Sequence, residues 1–249
     1  STDPGLIHPG HQASLTQRRK RAARRQRRII YYDDGAQTSR SYDSPETFLE
    51  TRLNQIIDTQ VDSVWYCTGS SGTIMGTHLS KTGDNSADLP ADVGEPIGQL
   101  RKQVLALKAH GTETLRLAID FCHQREMEVL FALRMNDIHD SFSPAELPPW
   151  KREHLDFVLG KPEDRSKYPE SDPRWFWSSW NYEIPEVREK IFRVLEDVCQ
   201  RYDVDGLHLD YWRHIKFFPP TQKLKPVEPR HVEMMNDLLR RIRQMTERE

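Results

Sequence analysis

The chain has 249 residues, of which 30% are charged and 36% are hydrophobic, and its formal net charge is −2. Its mean hydropathy is −0.77, and it contains no run of about eighteen apolar residues, so the sequence predicts no membrane span. The balanced charge predicts no general attraction to nucleic acid or to anionic lipid. The three cysteines are widely spaced and form no CxxC pair, so they indicate no metal site or redox cofactor.

A basic segment comes before the first predicted strand. Residues 1–27 are at first rich in Pro, Gly and Ser, and then enter the run "RRKRAARRQRR" of residues 18–28. A basic run of this kind could contact nucleic acid or a membrane surface. Because its charges repel one another and no aromatic residue lies among them, the composition instead predicts a solvated, flexible leader, either helical or disordered. The leader contains no apolar signal-peptide core. The compartment is left open, and a secreted or periplasmic location is compatible with the sequence.

Two strand patterns begin the domain that we predict for residues 28–249. The stretch "IIYYDDG" predicts the first strand, which ends near Asp34. The stretch "SPETFLETRLNQIIDTQ" follows, with Ser44 as a cap residue and with helical apolar spacing. The stretch "VDSVWYCTG" predicts the second strand. Residues 68–95 are rich in Gly, Ser, Thr and Asp, and this composition predicts a long loop.

Two more strand patterns follow, each separated from the next by helices. Helical spacing over residues 96–110 and 112–125 leads into "EVLFALRMND", the third predicted strand. Residues 138–182 form a second long segment, dense in Pro and aromatic residues. The amphipathic stretch "IPEVREKIFRVLEDVCQRYD" then leads into "VDGLHLDYWRH", the fourth predicted strand, and a last helical pattern covers residues 228–249.

This alternation of strands and helices predicts an α/β fold with parallel strands. No GxGxxG or GxxxxGK[ST] phosphate loop is present, which favours a (β/α)8 TIM-barrel type over a doubly wound sheet. Only about four βα units are evident, so we expect the chain to be the N-terminal part of a barrel catalytic domain. Either a C-terminal barrel half or self-association would then complete the barrel.

Strand periodicity places polar side chains at one end of the predicted sheet. If Leu207 and Leu209 pack under helices, His208 and Asp210 face the other way, and on the third strand the same counting groups Arg134 with Asn136. These residues lie near the carboxyl ends of their strands, where barrel enzymes assemble their active sites. We therefore expect a functional site at this end.

The long segment between the third and fourth strands concentrates aromatic residues. It contains Trp150, Trp175, Phe176, Trp177 and Trp180. Aromatic ring faces at a rim stack on the C–H groups of sugar rings, which predicts saccharide binding by Trp175 and Trp177. The alternative is that these rings form the small core that a long loop needs.

The stretch "VDGLHLDYWRH" has the outline of the DGxDxDxE motif of family 18 chitinases. Asp205, Gly206 and Asp210 match that motif, but His208 replaces its middle Asp and Trp212 stands where the catalytic Glu belongs. The sequence more closely resembles the glycosyl-hydrolase-like family 10 group. The stretches "AIDFCHQREMEVLFALRMND" and "YYDDG" support this resemblance, which covers about residues 28–218.

The resemblance implies a glycoside hydrolase that cleaves O-glycosidic bonds of a poly- or oligosaccharide without a cofactor. It carries over Asp210 as a catalytic carboxylate. Glycoside hydrolysis needs two carboxyl groups, and Asp137 is the expected partner, with Asp34 also available. The side chains expected to bind the carbohydrate substrate or to tune the carboxylate are Asp34, Arg134, Asn136, His208, Arg213, His214, Trp175 and Trp177.

Three alternatives remain open at this point. Asp210 could instead form a structural ion pair with Arg134 or Arg213. A metal-dependent hydrolase could use His208 and Asp210, with His214 as a further ligand, although no HExxH motif accompanies them. A non-catalytic carbohydrate-binding barrel would keep the aromatic loop without needing paired carboxylates.

Overall fold

A four-stranded parallel sheet forms the centre of the protein. The computed structural model describes residues 17, 20–21, 24–35, 41–68, 75–95, 97–143 and 146–248. Its strands are β1 (Ile30–Asp34), β2 (Ser63–Cys67), β5 (Glu128–Arg134) and β6 (Gly206–Asp210), in the spatial order β1-β2-β5-β6. A separate short pair consists of β3 (Met75–Gly76) and β4 (Asp84–Asn85). The predicted parallel α/β fold is confirmed.

Helices connect the strands of the main sheet and follow its last strand. They are α1 (Pro45–Arg52), α2 (Ile97–Ala109), α3 (Thr114–His123), α4 (Pro149–Glu153), α5 (Asp164–Lys167), α6 (Pro185–Arg201) and α7 (Pro229–Arg248). Ser44 caps α1 as predicted, because its hydroxyl accepts a hydrogen bond from the Thr47 backbone while the Thr47 hydroxyl accepts one from Ser44. Among the described residues, no helix is long and apolar enough to cross a membrane.

One face of the sheet packs against the helices and forms the core. Val129, Phe131 and Leu133 of β5 all point to this face and are at most 1% exposed. The α6 residues Ile191 and Leu195 belong to the same buried cluster. The hydrophobic effect over this face is the main force that holds the sheet and helices together.

The opposite face, which we call the inner face, is only partly covered. Ile30 is 42% and Tyr32 38% exposed, although both are large hydrophobic side chains. Within the described part of the chain, β1 and β6 are edge strands with no further partner. The sheet is therefore open in this structure, and its closure into a barrel stays a prediction.

The aromatic segment after β5 folds back onto the core. Trp177, Trp180 and Tyr182 are buried, and the backbones of Val158 and Trp180 form an antiparallel bridge. Several rings of this segment therefore form a local core, which was one of the two sequence-based interpretations. The basic leader lies mostly outside the described residues, and its flexibility stays a prediction.

Candidate functional site at the carboxyl end of the sheet

Arg134, the last residue of β5, joins two carboxylates at the carboxyl end of the sheet. Its Nη2 donates to Asp34 Oδ2 at 2.7 Å and its Nη1 to Asp137 Oδ2 at 3.0 Å. Asp34 ends the edge strand β1, so the guanidinium spans the inner face across the end of β2. Strand periodicity in the sequence thus placed Arg134 on the inner face, as observed. The structure adds that Asp34 and Asp137 are its two acidic partners.

Asp137 is fully buried, with a side chain that is 0% exposed. Its Oδ1 accepts hydrogen bonds from His139 Nδ1 at 2.6 Å and from the His139 backbone at 2.9 Å. Burial raises the pKa of Asp137, but the hydrogen bonds from His139 and the charge of Arg134 outweigh burial and hold it below its usual value. The carboxylate is ionised and enclosed, an arrangement that suits orienting other groups better than contacting a sugar.

His139 and His214 meet beside this carboxylate. Their ring centroids are 5.9 Å apart. The hydrogen bond to Asp137 raises the pKa of His139 against burial, whereas burial lowers the pKa of His214 to about 4. Arg213 Nη2 lies 3.3 Å from His139 Nε2. His214 is therefore neutral at pH 7.

Asp137, His139 and His214 form the one group of potential metal ligands in the described part of the chain. Asp137, His139 and His214 each offer a ligand atom, and the three atoms lie within 4.8 Å of one another. The sequence-based alternative grouped His208 and Asp210 with His214 instead. In the structure, only His214 of that predicted ligand set belongs to the group. His208 and Asp210 lie on β6 and are not part of it.

Asp210 ends β6 on the inner face and pairs in register with Arg134. Its Oδ1 accepts the backbone N–H groups of Trp212 at 2.9 Å and Arg213 at 3.1 Å, which fixes the carboxylate in a turn. No ion pair joins Asp210 to Arg134 or Arg213 within the ranges that the structure describes. Asp210 is half-buried, so its carboxylate is oriented and still reachable from solvent.

His208 lies one step further into the inner face. Its ring packs on Trp65 with centroids 4.3 Å apart and meets the edge of Tyr32 at 5.8 Å. Burial lowers its pKa. His208 is thus a neutral, aromatic-packed residue below Asp210.

Asn136 is placed differently from its predicted role. It is 1% exposed, its Nδ2 donates to the carbonyls of Trp180 and Lys216, and its Oδ1 accepts the Trp180 N–H at 2.9 Å. With its amide occupied by backbone groups, Asn136 has little left to bind a sugar hydroxyl. It instead holds two loops together.

The two predicted tryptophans lie in different surroundings. Trp177 is 3% exposed and belongs to the core, so it offers no ring face to a solute. Trp175 is half-buried and its ring lies 5.4 Å from that of Phe142, which in turn lies 6.0 Å from His139. Trp175 therefore borders the site through Phe142.

Sequence reasoning missed His139 and Lys216. Burial lowers the pKa of Lys216 to about 8 against the charge of Asp172, and its ammonium lies 4.7 Å from the Phe176 ring centroid. The one available signal for His139 was its spacing of two residues from Asp137 in "NDIHD". His139 begins a single 3-10 turn, His139–Ser141, and Lys216 lies in a loop, and no periodicity predicts side-chain direction in either.

Of the comparisons with known proteins, the one with family models agrees with the earlier resemblance. No curated protein matches the chain. Among solved structures, it is similar to α-L-fucosidase isoenzyme 2 from Paenibacillus thiaminolyticus, with 14% identity and a TM-score of 0.46, over 89% of this chain and 31% of that one. The chain thus spans less than a third of that protein's length. Residues 85–222, more than half of the chain, match the glycosyl hydrolase-like 10 family, and the chain belongs to this family.

Proposed function

We propose that this protein hydrolyses O-glycosidic bonds of a poly- or oligosaccharide, with Asp210 as the nucleophile or the electrostatic stabiliser of the oxocarbenium-like transition state. The proposal rests on the position and the hydrogen bonding of Asp210. Two backbone N–H groups orient its carboxylate at the carboxyl end of an inner-face strand. It is half-buried, and no ion pair to Arg134 or Arg213 neutralises it in the described residues.

The proposal assigns the second carboxylate role to Asp34. Hydrolysis of a glycosidic bond needs one carboxyl group to donate a proton and another to stabilise or attack the anomeric carbon. The Asp34 side chain is 42% exposed, although its Oδ2 pairs with Arg134 and its Oδ1 is buried, whereas the whole Asp137 side chain is 0% exposed. Asp137, which the sequence suggested for this role, then positions Arg134 and His139.

Trp175 and Phe142 are the proposed sugar platform. Phe142 is 38% exposed and lies beside His139 at the edge of the site. The Trp175 ring lies beside Phe142. Aromatic rings next to carboxylates and an arginine match the alternating apolar and hydroxyl surfaces of a sugar ring. This arrangement supports a carbohydrate over a small anionic substrate.

The proposal also includes a (β/α)8 barrel completed by further polypeptide. A groove of about 800 Å³ runs beside the free edge of β6, and Leu207, Leu209, Leu239 and Ile242 line part of it. Free strand edges and exposed apolar inner-face residues are unfavourable in a finished fold. An additional strand beside β6 would pair with its free edge and cover this groove, and a strand beside β1 would cover Ile30 and Tyr32.

The proposed function is tested by the variant Asp210→Asn, which keeps side-chain volume and removes the charge. We expect it to fold as the parent does and to lose several orders of magnitude in turnover on oligosaccharide substrates. Asp120→Asn, an exposed carboxylate on α3, is the matched control and should retain the parent rate. A screen for glycan binding should accompany the hydrolysis assay. Binding without any turnover, measured on the parent protein together with the polypeptide that completes its barrel, would favour the non-catalytic carbohydrate-binding alternative instead.

A further inference from the structure

We propose that Asp137, His139 and His214 bind one divalent transition-metal ion, with Zn²⁺ as the preferred ion. The three ligand atoms already lie within 4.8 Å of one another. Two imidazoles and one carboxylate are the ligand types of catalytic zinc sites, which keep a fourth position open. This inference goes beyond the proposed glycosidase, which needs no metal.

The carboxylate of Asp137 is arranged as a metal ligand whose other oxygen is held by Arg134. Arg134 Nη1 holds Oδ2 at 3.0 Å, and Oδ1 faces Nδ1 of His139 at 2.6 Å. A metal ion would take the place of the proton that Nδ1 shares with Oδ1, because metal binding to histidine releases protons. An outer hydrogen-bond donor that fixes one carboxylate oxygen orients the other toward a metal. Arg134 therefore fixes the direction in which Asp137 presents Oδ1.

His214 supplies an independent reason to expect a ligand. Its Nε2 is buried, yet it has no hydrogen-bond partner within the described ranges. An unpaired buried ring nitrogen costs free energy, and coordination of a metal ion would satisfy it. The residue lies in the loop after β6, which brings it to the same end of the sheet as Asp137.

The charges around the site decide which metal is favoured. Arg134 contacts Asp137, and Arg213 contacts His139, so the surroundings oppose a cation that is held by charge alone. Mg²⁺ and Ca²⁺ need several oxygen ligands, which this group does not supply. Zn²⁺ binds imidazole strongly, so the two histidines favour it.

The test is a metal titration of the purified chain after treatment with a chelator. We expect one Zn²⁺ per chain in competition with a chromophoric chelator, and a visible d–d absorption spectrum when Co²⁺ is added instead. Mg²⁺ should give no binding. Zn²⁺ should also raise the melting temperature, because a ligand that binds only the folded state stabilises it.

Variants identify the ligands. His139→Ala and His214→Ala should each weaken Zn²⁺ binding by more than about 100-fold, since loss of an outer-layer partner alone costs about 10- to 100-fold. His110→Ala, an exposed histidine at the end of α2, should bind as the parent does. His214→Gln keeps a polar side chain and serves if His214→Ala does not fold.

Two results would overturn the proposal. One is the absence of stoichiometric Zn²⁺ binding and of a Co²⁺ spectrum in the folded parent chain. The other is unchanged Zn²⁺ affinity in a folded His139→Ala/His214→Ala double variant. Neither measurement uses turnover, so failure of this site and failure of the proposed glycosidase activity are distinguishable.

Discussion

Arg134 and Asp210 occupy paired positions on β5 and β6 and leave the sheet from the same face, yet their side chains do not form an ion pair. The Arg134 guanidinium contacts Asp34 and Asp137 instead. Asp210 is held by backbone N–H groups of the following turn. The two side chains thus have separable roles, one in stability and one in the proposed chemistry.

Replacing Arg134 should destabilise the protein. Arg134→Met leaves the buried Asp137 carboxylate without its cation, and breaking a buried pair from one side costs about 3–5 kcal/mol. Urea unfolding followed by circular dichroism measures the loss. Arg193→Met, which removes an exposed arginine paired with Glu189 and Glu196 on α6, should cost less than about 1 kcal/mol. Equal losses in the two variants would contradict the buried role of Arg134.

Variants of Trp177 and Trp175 should distinguish a loss of core stability from a loss of saccharide binding. Trp177→Ala removes a ring that is buried in the core and should cost about 3–5 kcal/mol of stability. Trp175→Ala should cost less and should weaken oligosaccharide binding several-fold, because Trp175 borders the site. Thermal unfolding and calorimetric titration with the best-binding oligosaccharide distinguish the two effects. Unchanged binding by Trp175→Ala would remove Trp175 from the proposed platform.

His78 should make stability depend on pH. It is buried, its Nδ1 lies 2.8 Å from the Thr68 hydroxyl, and burial lowers its pKa from the ordinary 6.5 to about 4. The unfolded chain therefore binds the proton more readily. The neutral ring contributes stability that is fully present above pH 6.5 and is lost as pH falls toward 4, on the order of 3 kcal/mol in total.

The variant His78→Asn isolates this contribution. Asn keeps a polar atom near the position of Nδ1 but does not titrate, so the free energy of unfolding should fall less steeply between pH 6.5 and pH 4.5. The exposed residue His110 provides the control, and His110→Asn should leave the slope as it is. Parallel curves for the parent and His78→Asn would show that His78 does not titrate as its burial requires.

The uncovered inner face should make the isolated chain associate. Ile30 and Tyr32 expose more than a third of their surface on this face, and we expect concentration-dependent association in analytical ultracentrifugation. Ile30→Lys combined with Tyr32→Lys should reduce it. Ile57→Lys, at a hydrophobic residue of similar exposure outside the sheet, should not. A parent chain that stays monomeric at high concentration would argue against an unfinished barrel.

The sequence predicted the strands well because alternation of apolar residues is a local signal. The same alternation placed Arg134, His208 and Asp210 on the inner face, and the register of β5 and β6 agrees with that grouping. It could not show what covers each side chain. Periodicity grouped Asn136 with Arg134, but in the structure Asn136 is buried under two loops and bonded to their backbones.

The site residues that lie outside the strands and long helices could not be predicted from periodicity. His139 and His214 are 75 residues apart in the chain, and only tertiary packing brings their rings together beside Asp137. The aromatic segment shows the same limit. Composition indicated that it was important, but only the fold separates Trp177, in the core, from Trp175, at the edge of the site.

The hydrogen bonds of Asn136 have a consequence for protein engineering. Through its amide, the end of β5 is tied to Trp180 in one loop and to Lys216 in the other, and the Tyr182 N–H donates to the Phe217 carbonyl at 2.8 Å. Grafting either loop alone from a relative would leave buried backbone groups without partners. The two loops therefore form a single cassette, which has to be exchanged as a unit when new specificities are designed.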